Sequence, residues 1–186
     1  MNRELFLSIL ALDSYNRGYG ERMAGLGVSG RIGNATILTD ALSRLDSAEV
    51  LRADFYAIAY EYEGDTIIAY RGTDELGKDA VNGYGVGAGF TGGLFAPQAD
   101  LAVEFYTAVT GRPAFYITPP TDVTLVGHSL AGGLAGLVTM WTGAEARGYD
   151  HMLYGRAAAL AGRGEAIYPF TSFDKNLLPV CAANDN

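Results

Sequence analysis

The chain has 186 residues, enough for one domain with its own core. Hydrophobic residues make up 49% and charged residues 18%, which argues against disorder, and a net charge of −8 repels phosphate backbones, which argues against a nucleic-acid partner. A single cysteine, Cys181, excludes an internal disulfide framework, and His128 and His151 leave little for a metal site. In chain order, Leu5, Phe6, Ile9, Leu10 and Leu12 recur at helical spacing and predict a helix near 3–16. The early acidic Glu4 and the arrival of Asp13 and Asn16 set this stretch apart from a signal peptide, so a cytoplasmic location is the default. A glycine-rich stretch runs from Gly18 to Gly33, and residues 40–53 read as a short helix. The β-rich runs Phe55 to Glu61 and Thr66 to Tyr70 flank Glu63-Gly64-Asp65 and predict a hairpin. A second glycine-rich loop covers Gly83 to Gly93, and Pro97 opens a helix through Ala108 that stops near Gly111.

Asp122 to Val126 reads as a buried strand, Leu130 to Thr142 as a helix, Tyr149 to Tyr154 as a strand and 155–162 as helical. Residues 175–186 read as a frayed tail of a single domain spanning 1–186. Asp13, Asp40, Asp46 and Asp54 read as helix caps and solvated faces. Alternating strands and helices in the second half imply an α/β class with a mostly parallel sheet flanked by helices. No segment reaches the length of a membrane span.

The chemistry-bearing stretch is Val123-Thr124-Leu125-Val126-Gly127-His128-Ser129-Leu130-Ala131-Gly132-Gly133. An apolar strand ends, a tight turn follows and a small-residue helix begins. A serine at such a turn projects its hydroxyl at the carboxyl end of the sheet. The helix N-terminus adds a positive dipole where negative charge develops, and the Leu130 amide is one oxyanion donor. Gly132, Gly133 and Gly136 let that helix approach the sheet. Ile67-Ile68-Ala69-Tyr70-Arg71-Gly72-Thr73 is a second strand exit, and the Thr73 amide and hydroxyl fit the second donor. The competing explanation of the elbow is a serine that merely caps a helix. Gly83-Tyr84-Gly85-Val86-Gly87 has glycines at nucleotide-loop spacing, but no strand runs into it, which suits a rim over a cleft better. Tyr84, Phe90, Leu94 and Phe95 are candidates for an acyl pocket.

The pairing of Ala69-Tyr70-Arg71-Gly72-Thr73 with Val126-Gly127-His128-Ser129-Leu130-Ala131-Gly132-Gly133 resembles the class 3 lipases over roughly 5–160. The resemblance implies a minimal α/β-hydrolase-like three-layer sandwich, shortened at its C-terminus. It also implies hydrolysis of carboxylic esters through an acyl-enzyme, with no cofactor and an ester or lipid as substrate. By match to the family's motifs, Ser129 is the nucleophile and Thr73 and Leu130 the oxyanion donors. His128 falls on the family's elbow histidine, a structural position. Ala131 departs from the family's glycine, a change expected to be tolerated.

A serine hydroxyl needs a base, and His151 is the only histidine after Ser129, so either His151 is that base or this chain has none. Asp150 is the provisional acid, with Glu165 and Asp174 as alternatives. Neighbours on a strand point to opposite faces, so Asp150 and His151 cooperate only if the strand has already ended. The shortage of histidine keeps a second expectation open, a hydrolase-fold protein that binds a lipid or protein partner without turnover. A sheet edge exposed by shortening invites pairing into a homodimer in either case.

Overall fold

The computed structural model describes residues 2–19, 29–72, 97–114, 118–152, 154 and 170–172. Within them one sheet holds its strands in chain order: β1 (Arg31–Ile32), β2 (Ala35–Asp40), β3 (Ala57–Tyr62), β4 (Asp65–Tyr70), β5 (Val123–His128), β6 (Glu145–Tyr149) and β7 (Phe170–Ser172). Neighbours from β1 to β4 are antiparallel, and neighbours from β4 to β7 are parallel. The sheet is therefore mixed, which corrects the expectation of a mostly parallel one. The difference comes largely from β2. Only Ala35 in it is fully buried, so the alternation that marks a strand is faint there.

The hairpin forms as the spacing predicts. Glu63 at φ 54° and Gly64 at φ 90° make a two-residue turn whose twist suits the paired strands. The helices are α1 (Arg3–Asp13), α2 (Ala41–Arg44), α3 (Ser47–Arg52), α4 (Pro97–Thr110) and α5 (Leu130–Thr142). A 3-10 turn, Ser14–Asn16, follows α1. The single helix expected over 40–53 is split at Leu45, which is extended at φ −114° and ψ 176°. Each half has its own cap. Asp40 accepts from the Ser43 amide, and Asp46 accepts from the Ala48 and Glu49 amides.

Alternation along β3 and β4 builds two cores. Ala57, Ala59, Ile68 and Tyr70 pack under α4 and α5 with Phe105, Leu134 and Val138. Ile58, Tyr60, Tyr62, Ile67 and Ala69 face α1, against Phe6, Leu7 and Leu10. The result is an α/β molecule in three layers, with the sheet in the middle. Polar contacts pin α1 in place. Arg147 Nε lies 3.0 Å from Glu4 Oε1, and the Tyr149 hydroxyl donates to the Glu4 carbonyl at 3.2 Å. Asp13 is fully buried, not a solvated cap; it accepts from Arg17 Nε at 2.9 Å and from the Tyr60 hydroxyl at 2.7 Å. A buried carboxylate persists only with partners of this kind. No helix among the described residues is long and apolar enough to cross a membrane.

Candidate active site

Three strand exits meet at the carboxyl edge of the parallel half. Ala69 pairs with Val126 and His128 pairs with Tyr149, so Arg71-Gly72, His128-Ser129 and Asp150-His151 leave the sheet at about the same level. In α/β sheets this edge is where ligands bind.

Ser129 joins β5 to α5 with φ 56° and ψ −124°. That is the conformation of the first central residue of a type II′ turn, a glycine position, and holding another residue there costs ~1–3 kcal/mol. Its side chain makes no capping hydrogen bond to α5, so the simple helix-cap explanation fails. Backbone bonds hold the strained turn. The Ser129 amide donates to the Tyr149 carbonyl at 2.9 Å, and the Ser129 carbonyl accepts from Gly132, Gly133 and Met152 at 3.1, 3.3 and 2.9 Å. Gly127 has to be glycine, because a methyl there would lie 2.3 Å from the Ala131 carbonyl oxygen. Ala131, where the resemblance expects glycine, buries its methyl completely in the core under α5. Leu130 opens α5, so its amide has no carbonyl one turn back inside the helix and stays available to an anion.

The segment after β6 differs from expectation. The strand ends at Tyr149 instead of running from 149 to 154, because Asp150 turns the chain at φ 46°. The Asp150 carboxylate is exposed and makes no hydrogen bond among the described residues. His151 is 8% exposed and lies back on α5. A methyl on Gly132 would stand 2.4 Å from His151 Cβ, one on Gly133 2.9 Å from the Met152 carbonyl, and one on Gly136 2.4 Å from the Tyr154 ring. These glycines thus make room chiefly for His151, Met152 and Tyr154. Met152 then reaches the Ser129 carbonyl, which ties the backbone beside His151 to the elbow. No hydrogen bond joins the Ser129 hydroxyl to the His151 ring among the described residues.

Thr73, Tyr84, Phe90, Leu94, Phe95, Glu165 and Asp174 lie outside the described residues, as do the Gly83–Gly93 loop, 155–162 and 175–186. The root of the Thr73 segment is nevertheless well anchored. The Arg71 amide donates to the Tyr56 carbonyl at 2.9 Å. Its buried guanidinium stands 4.1 Å from the Tyr19 ring centroid, 5.2 Å from that of Tyr56 and 3.6 Å from Asp54 Oδ1. Asp54 is therefore an ion-pair partner, where sequence reading expects a cap or a solvated face. Sequence reading also misses Tyr15, whose hydroxyl lies 3.2 Å from His128 Nδ1. It is far from the elbow along the chain, and no motif marks it. Among the described residues no group of three or more His, Cys, Asp or Glu could hold a metal ion.

No protein-family model matches the chain, and neither a curated protein nor a solved structure does.

Proposed function

We propose that this protein is a serine hydrolase of carboxylic esters, of the class 3 lipase kind, with an α/β-hydrolase-like fold. The observation that carries the reading is the Ser129 backbone at φ 56° and ψ −124° on a strand-to-helix turn, with its side chain capping nothing. Strain of that kind persists where a site needs it. Ser129 attacks the ester carbonyl, and the amides of Leu130 and Thr73 hold the oxyanion. His151 takes the serine proton and returns it to the leaving alcohol. Asp150, Glu165 and Asp174 are the candidates for the acid that orients His151. Water then releases the acyl group from Ser129, so the cycle needs no cofactor.

A second reading has its own support. Among the described residues no hydrogen bond joins the Ser129 hydroxyl to the His151 ring, and Asp150 is exposed. Those facts favour a hydrolase-fold protein that binds a lipid or protein partner without turnover, alone or paired with a second copy along a sheet edge. Catalytic hydrogen bonds often tighten only when substrate binds, which keeps hydrolysis as the first reading.

Turnover of short and long p-nitrophenyl esters decides between them. Hydrolysis that Ser129→Ala abolishes, and that His151→Ala lowers by ~10³-fold or more, supports the enzyme. Full turnover in His151→Ala removes that residue from the mechanism. No turnover by the unaltered protein favours the binding reading.

A further inference from the structure

Three residues that follow β6 rest on the glycines of α5. His151 lies on Gly132, Met152 on Gly133 and Tyr154 on Gly136. Gly132 and Gly136 stand one turn apart and Gly133 lies beside Gly132, so the three share one side of the helix. Two contacts fix His151 as far as its Cβ. The Met152 amide donates to the Ser129 carbonyl at 2.9 Å, and a methyl on Gly132 would overlap His151 Cβ. Neither contact sets the two side-chain torsions that aim the imidazole.

The Tyr154 ring meets the imidazole itself. The two ring centroids are 6.0 Å apart with their planes at 49°, within the range of an aromatic pair. Tyr154 has little freedom of its own. A methyl on Gly136 would overlap Cε1, Cζ and Cδ1 of its ring, and the side chain is 6% exposed in the core under α5. A close-packed side chain of that kind holds its rotamer.

We propose that Tyr154 is a positioning residue: its ring, seated on Gly136, holds the His151 imidazole in the orientation from which it takes the Ser129 proton. The inference rests on the hydrolase reading of Ser129, with His151 as the base. The contact runs from ring to ring, so it asks for an aromatic ring at 154 and not for the phenol hydroxyl. Leucine at 154 removes the pair while staying apolar, and phenylalanine restores it. Gly136→Ala reaches the same contact from the helix side. Its methyl displaces the Tyr154 ring, while the helix gains from alanine.

The test is ester kinetics on these three variants, joined to proton NMR. We expect kcat to fall about tenfold in Tyr154→Leu and Gly136→Ala, the scale of one aromatic pair. KM should stay within about twofold, because the ground-state ester binds before any proton moves. Tyr154→Phe should recover kcat to within about twofold of the wild type. The chain has two histidines, so comparison with His151→Ala assigns the His151 ring signals. Those signals should show cross-relaxation with the aromatic ring at 154 in the wild type and in Tyr154→Phe, and should shift in Gly136→Ala. If Tyr154→Leu does not fold, Gly136→Ala and Tyr154→Phe decide.

Wild-type kcat in folded Tyr154→Leu or Gly136→Ala overturns the inference, even where the melting temperature drops. An equal fall in Tyr154→Phe and Tyr154→Leu assigns the effect to the hydroxyl and also overturns it. So does a wild-type protein without cross-relaxation between the two rings. Each of these results leaves the hydrolase reading standing, provided that the wild type turns over and Ser129→Ala does not. Full turnover in His151→Ala overturns the inference alone. A wild-type protein without turnover brings down the hydrolase reading, and this inference falls with it.

Discussion

Ser129 holds a conformation that glycine adopts freely, and its strain is a stability term that can be measured. Ser129→Gly should abolish turnover yet stabilise the protein by about 1 kcal/mol, once the extra chain entropy of glycine is set against the relieved strain. Thermal melting of Ser129→Gly beside Ser129→Ala checks this, and a glycine variant that melts no higher than the alanine variant contradicts it. Gly127 has the opposite character. A methyl there meets the Ala131 carbonyl at 2.3 Å, so Gly127→Ala should destabilise by about 2 kcal/mol or more, read as a lower denaturation midpoint. Ser129, Leu130 and Gly127 were legible because strand, turn and helix signals fall on consecutive residues. Tyr15 was not, because its contact with His128 spans the chain and depends on how α1 docks. The burial of Asp13 and Asp54 was equally hidden, since their partners Arg17, Tyr60 and Arg71 become partners only in three dimensions.

At the scale of elements, α5 was the most legible piece. Its apolar and small residues run without interruption, and Gly143 stops it in the left-handed conformation at φ 73°. The stretch after it departs from its sequence pattern. Tyr149 and Tyr154 suggest a strand, but the backbone turn at Asp150 is set by docking onto α5 and has no signature in residue type. That docking makes a prediction. Gly132→Ala places a methyl 2.4 Å from His151 Cβ, so His151 must move. The helix itself gains from alanine, by about 1 kcal/mol of propensity. The variant should therefore remain folded by circular dichroism while ester turnover falls at least about tenfold. Turnover at the wild-type level would show that the seat of His151 on Gly132 is irrelevant to the chemistry.

For the whole molecule, the class was legible and the sheet was not. Alternating elements pointed to α/β and the hairpin was foreseen, but β2 carries too little buried alternation to be seen, and with β1 it adds two antiparallel pairings to that of the hairpin. The same cores give the molecule a pH limit. Burial is the first cause that pushes the hydroxyls of Tyr56, Tyr60, Tyr70 and Tyr149 above the ordinary value of 10.0, with Asp40, Asp13 and Glu4 adding to three of them. The folded state thus holds these protons more tightly than the unfolded chain does. Their contribution is intact below about pH 10 and is lost as pH rises beyond it, because only the unfolded chain ionises freely there. The tyrosinate absorbance of these hydroxyls should therefore rise well above pH 10 and coincide with loss of the far-ultraviolet dichroism. Complete ionisation with the dichroism intact would contradict the packing described for both cores.

The most direct test of the nucleophile is the intact mass of the protein after exposure to a fluorophosphonate, followed by peptide mapping. One adduct is expected on the wild-type chain, on Ser129, and none on Ser129→Ala. An unmodified wild-type chain, or equal modification of both proteins, would contradict it.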